Sequence, residues 1–258
     1  MTPLLKLAAA AAAVLVIAVV GYNLLPGPSG PGAPTTAPTP SAQPTAAVTA
    51  APSASAVFPS WYSTSDRSGA GILSPGSQAT RSFRPGFTFS VPEGWVNDGD
   101  SDGFYSLFPD TPANEAEFAR SGALANNIVM GPHGSPYFVC ESVENNRGAT
   151  ASEMVAALVV NEAAATTGLV DVEIGGLTGK QFDVRLNPEW TGTCPPGPDD
   201  PPDDPPDLGD MRTRGFLLDA PDRGVIVIFV GSLYSADFEA FLAEAMPIVE
   251  SFQFDLGQ

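Results

Sequence analysis

The stretch from Leu7 to Leu25, LAAAAAAVLVIAVVGYNLL, limits what this chain can become more than any other. Its 19 residues carry no charge. At ~1.5 Å per helical residue they reach about 29 Å, which matches the roughly 30 Å hydrocarbon core of a bilayer. Nine of the side chains are Leu, Ile or Val, each contributing about −0.3 to −0.6 kcal/mol to insertion. Tyr22 and Asn23 fall at headgroup level, and Pro26 stops the helix. A cleaved signal peptide would need a small-x-small site just past the apolar core. Gly21 to Pro26 supplies none, so residues 1–26 read as an uncleaved transmembrane anchor. Lys6 and the terminal amine lie on its N-terminal side, and the next basic residue is Arg67. The positive-inside bias therefore leaves the N-terminus cytoplasmic and sends the C-terminal bulk across the cell membrane.

Pro26 to Pro59 contains nine prolines and no charged residue. With no apolar periodicity it can bury no core, and residues 27–79 read as a disordered, polyproline-biased tether. Residues 80–258 then form one extracytoplasmic domain of ordinary size. The chain carries 29 acidic against 11 basic residues, net charge −18. Such a surface repels nucleic acid and anionic headgroups and tolerates or attracts cations and basic partners; the expected partners are the membrane, through the anchor, and a protein or small-molecule ligand outside the cytoplasm. Cys140 and Cys194 are the only cysteines, and outside the cytoplasm they are expected to form one disulfide.

Within the domain, Ser82-Phe83 and Phe87–Val91 alternate apolar and polar around Pro85-Gly86, which predicts a hairpin. Phe104–Phe108, Asn127–Met130 and Tyr137–Val143 read as further strands. Thr150 and Glu153 form a capping-box pair opening a helix whose apolar face is Met154, Val155, Leu158 and Val159, with Gly168 at or beyond its end. Leu169–Ile174 and Leu177–Leu186 should pair about Gly175-Gly176. Phe216–Leu218 pairs with Val225–Val230, whose uninterrupted apolar run marks a strand covered on both faces. A last helix from Ser235 has the stripe Phe238, Phe241, Leu242, Ala245 and Met246, is ended or kinked at Pro247, and is followed by a closing strand over Ser251–Phe254. The whole is α+β: a mostly antiparallel sheet flanked by about two helices.

The stretch Phe87–Trp95, FTFSVPEGW, resembles the opening of PsbP-like domains, in which a strand ends in a Pro-x-Gly-Trp turn. Gly176–Asp183 and the closing helix before Ser251-Phe-Gln-Phe254 are similar to later elements of that superfamily. The layout also resembles single-pass bacterial proteins with a Pro/Ser/Thr-rich tether and such a head carrying two cysteines. The resemblance spans Thr80 to Phe254. It implies a scaffold used for binding or accessory roles, and it brings no catalytic residue with it.

Asp98, Asp100 and Asp102, followed by Gly103, reproduce the first half of a calcium loop. Position twelve of that loop should be a bidentate Glu but is Pro109, with Asp110 one residue late. The pattern predicts weak calcium binding at most, and the competing reading is an acidic turn between strands. Pro195 to Asp210 interleaves six Asp with seven Pro, a stiff, solvated loop rather than a cation cage. His133 is the sole histidine, no Gly-x-Ser-x-Gly elbow occurs, and no carboxylate pair stands out for glycoside hydrolysis. No catalytic or cofactor-binding residue is assigned, and the expectation is a non-enzymatic binding, sensing or accessory protein of the cell envelope. A calcium- or glycan-binding surface protein, with Trp95 and Trp190 as stacking candidates, and an extracytoplasmic hydrolase are the competing classes.

Overall fold

The computed structural model describes residues 56–63, 68–132, 150–192, 210–221 and 223–257. The expected anchor, the expected strand Tyr137–Val143, His133, both cysteines and the Asp/Pro run up to Gly209 lie outside the described residues. No helix among the described residues is long and apolar enough to cross a membrane.

The covered run Val225–Val230 sits where its composition demands. It belongs to β10 (Gly224–Ser232), and all six of its residues are buried. β10 pairs antiparallel with β6 (Asn126–Pro132) on one side and β9 (Arg212–Ala220) on the other. Around this centre an eight-stranded sheet runs β1 (Gly71–Ile72), β4 (Trp95–Ser101), β5 (Phe104–Pro109), β6, β10, β9, β8 (Leu177–Leu186), β7 (Ala164–Ile174). A second sheet of three strands is ordered β11 (Gln253–Phe254), β3 (Phe87–Val91), β2 (Gly76–Ala79). Both sheets are antiparallel throughout their named strands. Three helices lie among the described residues: α1 (Pro112–Ser121), α2 (Ala151–Val159) and α3 (Phe238–Glu250).

Alternation along the strands splits the core in two. One face of the large sheet, with Tyr105, Leu107, Met130, Ile226 and Ile228, packs under α3 and the small sheet. Phe83, Phe87, Phe89, Phe252 and Phe254 converge there with Tyr105, their neighbouring ring centroids 4.9 to 6.4 Å apart. Burial of each such ring contributes about 1.5–3 kcal/mol. On the opposite face α2 covers Phe182, Val184, Leu217 and Val227. Farther along that face Tyr62 stacks against Phe108 of β5 and Phe118 of α1.

Several expected elements hold and others move. The capping box at Thr150 is formed both ways, by Glu153 N to Thr150 Oγ1 at 3.3 Å and Thr150 N to Glu153 Oε2 at 2.7 Å. Gly175 and Gly176 have φ of 58° and 85°, as a two-residue hairpin turn of the primed type requires. Gly168, however, does not end the helix. α2 finishes at Val159, which is exposed, and Gly168 lies inside β7 at a register shift between Thr167 and Val170 with φ of 65°. The last helix begins at Phe238 rather than Ser235 and runs through Pro247. Pro247 and Ala243 both face solvent, so the carbonyl freed by the missing N–H can be met by water.

The hairpin expected for Ser82-Phe83 is replaced. β3 pairs instead with β2, Gly76 opposite Val91 through Ala79 opposite Thr88. Part of the stretch expected to be tether packs with the head instead. Residues 56–63 and 68–79 are joined to the head: Val57 bridges Gly71, Ile72 N donates to Val57 O at 2.6 Å, and Tyr62 is buried. α1 was not expected, although Thr111 caps it, Pro112 opens it, and Gly122 closes it with φ of 77°.

Candidate functional site

The three carboxylates of the calcium pattern stand in and beside β4, and one extra residue there separates them. The β4–β5 register passes from Asn97 opposite Leu107 to Gly99 opposite Ser106, leaving Asp98 as the bulge. Asn97 pins the bulge from within: it donates to Gly99 O and Ser106 O, both at 2.9 Å, and accepts from Ala70 N at 2.8 Å. The bulge resets the alternation. Asp98 stays on the face of Val96 and takes the Tyr62 hydroxyl at 2.9 Å. Asp100 falls opposite Tyr105 on the other face. Its Oδ2 accepts from Arg81 N at 2.7 Å, and its Oδ1 accepts from Ser82 N at 3.0 Å and Phe83 N at 2.9 Å. Burial, and then the Asp100 charge, push the Tyr105 phenol well above its ordinary range. Asp102 projects from the turn and faces Arg223 at 3.8 Å. The calcium triplet therefore does not converge, and each member serves a different partner. Among the described residues no group of three His, Cys, Asp or Glu is placed to hold a metal ion.

The stacking candidates are also occupied. Trp95 is 3% exposed and lies near-parallel to Phe241 at 6.3 Å. Trp190 packs against the cluster beneath α2. The Trp95 ring is taken up by the core, while Trp190 is half-buried.

Glu117 of α1 is the most heavily bonded acid among the described residues. Although its side chain is buried, it accepts from Arg120 Nε at 3.0 Å, Arg120 Nη2 at 2.6 Å, Ser121 Oγ at 2.5 Å and the Tyr234 hydroxyl. Burial opposes its charged form, but the donors of Arg120, Ser121 and Tyr234 outweigh it and hold the carboxyl at about 2. This network ties α1 to the turn between β10 and α3. A small hollow of about 140 Å³ lies close by, floored by Asn127, Val129 and Thr213. A third recess, near Asp171, Glu173 and Asp219, has its acids partly committed: Lys180 donates to Asp171, and Ala151 N to Asp219 at 2.7 Å.

A wider hollow has the opposite character. A cleft of about 560 Å³ opens between the Thr80–Gly86 loop, the β9–β10 turn and the chain after β11, and Arg81, Arg84 and Arg223 line it. Its walls are fastened. Asp100 holds the backbone of residues 81–83, Thr80 Oγ1 accepts from Phe87 N at 3.1 Å, and Asp255 N donates to Gly86 O at 2.7 Å. Arg84 Nη1 donates to the carbonyls of Arg81 and Phe83 at 3.1 and 2.8 Å. Among the described residues neither Arg81 nor Arg84 pairs with a carboxylate. This grouping escapes sequence reading because Arg223 is distant from the other two in the chain.

No family model matches the chain, and no curated protein does. Among solved structures it is similar to cyanobacterial PsbP (CyanoP) from Synechocystis sp. PCC 6803, at 10% identity over 72% of this chain and 96% of that one, TM-score 0.36. It is also similar to a protein from Bacteroides thetaiotaomicron VPI-5482, at 12% identity over 66% of this chain and 45% of that one, TM-score 0.29. Likenesses this distant transfer no residue and no role.

Proposed function

We propose that the chain is a membrane-anchored, extracytoplasmic binding or accessory protein of the cell envelope and acts without catalysis. The observation that carries the binding part is the fastened cleft at Arg81, Arg84 and Arg223. It gathers three of the chain's 11 basic residues at one opening of a molecule with net charge −18. Two of the three, Arg81 and Arg84, pair with no carboxylate among the described residues, which in so acidic a chain favours a role in recognition over general solubility. The membrane part rests on the uncharged Leu7–Leu25 stretch and the Pro-rich sequence after it. Of the acids that suggested calcium binding, Asp98 and Asp100 are used to hold segments of the head together, as is Glu117.

Expression in a bacterium, followed by fractionation and protease treatment of intact spheroplasts, tests the location. The expected result is a membrane-bound protein whose head is cut from outside. Recovery of the chain in the soluble cytoplasmic fraction overturns the reading.

A further inference from the structure

The ligand class follows from the chemistry of the Arg81–Arg84–Arg223 cleft, and the inference rests on the binding reading above. We infer that this cleft is a site for a small, multiply charged oxyanion, one bearing two or more phosphate or carboxylate groups. Guanidinium is planar, always charged, and presents five N–H donors in a fork that fits two oxygens of one phosphate or carboxylate. Arg84 uses Nη1 on two backbone carbonyls, which fixes the direction of its remaining donors. Arg81 hangs from a loop whose three successive amides are gripped by the buried Asp100 carboxylate. Arg223 is loosely matched by Asp102 across 3.8 Å, with the two side chains 47% and 80% exposed. So open a pair contributes little and yields to a better partner.

Size and charge point the same way. About 560 Å³ lies within the range of small-molecule sites and is too small for a folded partner. The acidic surface elsewhere repels anions, which makes this basic opening a favourable place for one. Fastened walls reduce the ordering cost of binding. Among the described residues Asp255 also acts against the ligand: it lines the same cleft, and its Oδ1 accepts from Gly257 N at 3.2 Å.

The test is isothermal titration of the full-length chain in a non-ionic detergent and metal-free low-salt buffer, with pyrophosphate and citrate as probes. Binding of either probe supports the site, and the preference between them separates phosphate from carboxylate ligands. Arg81→Gln and Arg223→Gln should each weaken binding by about tenfold. Asp255→Asn, which keeps an oxygen for Gly257 N, should tighten it several-fold. That gain is a sign which mere loss of folding cannot produce. Absence of heat with both probes up to ~10 mM overturns the inference, as does binding that neither arginine substitution changes. Either failure leaves the membrane location, measured separately, untouched.

Discussion

Asp100→Ala separates a structural carboxylate from a calcium ligand. Asp100 is 7% exposed and accepts three backbone N–H bonds at 2.7 to 3.0 Å. The amides of Arg81 and Ser82 lie near the surface, so water can replace the carboxylate there, at a net cost of about 0.5–1 kcal/mol each. Phe83 is fully buried, and its N–H would be orphaned, which costs about 1–3 kcal/mol. The sum is about 3 kcal/mol. For a domain of this size, ~1 kcal/mol moves the melting temperature by about 2–4 °C, so the expected drop is roughly 6–12 °C. Asp100→Asn retains an oxygen for Ser82 and Phe83 and should lose about half as much. Thermal unfolding followed by circular dichroism at pH 7, with a chelator present, reads the effect. A calcium ligand would leave the metal-free melt unchanged. An Asp100→Ala melt within ~1 °C of the parent therefore refutes the structural assignment.

Glu117 is held at about 2, below an unfolded value near 4.5, so its stabilising contribution is complete above pH 4.5 and is lost as the pH falls toward 2. Melting temperatures measured across that window should fall less steeply for Glu117→Gln than for the parent; parallel curves refute the assignment. A soluble fragment starting at Ser53 should melt higher than one starting at Thr80, because the latter loses β2 and uncovers Val96 and Phe108 by removing Tyr62. Equal melting of the two fragments would return the domain boundary to Thr80. At Gly179 an added Cβ would lie 1.9 Å from Leu217 O, so Gly179→Ala should cost roughly 3 kcal/mol or more in urea unfolding, while Ala at the exposed neighbour Thr178 should cost little.

Legibility in the sequence followed the strength of local patterns. Val225–Val230 announced a covered strand because six consecutive apolar residues admit few other homes, and Gly175-Gly176 announced its turn because both positions need positive φ. β2, with the sequence GSQA, has no apolar residue except Ala79 and is held to β3 by backbone pairing, so no periodicity could reveal it. α1 was hidden by its polar sequence, PANEAEFARS. The signals that could have found it were at its ends, in Thr111-Pro112 and Gly122. The triplet Asp98, Asp100, Asp102 misled for a geometric reason. Alternate positions share a side in a regular strand, and also recur in a calcium loop, but one bulged residue sends Asp98 and Asp100 to opposite faces. Gly99 beside the bulge was the only hint of it.

That bulge also links the acid cluster to the basic cleft. By turning Asp100 under the 81–83 backbone it makes a carboxylate the support of the loop that carries Arg81 and Arg84. Charge alone and positioning then predict opposite results for one substitution. Removing the Asp100 charge near an anion site would tighten oxyanion binding if only electrostatics mattered. If Asp100 fixes the loop, Asp100→Ala frees both arginines and weakens binding by about tenfold, the ordering cost returning to the binding step. Asp98→Ala is the control, since it removes one charge of the same sign on the other face, where its partner is Tyr62. It should leave affinity unchanged or slightly higher. Titration of both variants with pyrophosphate, at a temperature where each remains folded, decides the matter. Tighter binding by Asp100→Ala, or equal weakening by the two, would show that the carboxylate does not position the cleft.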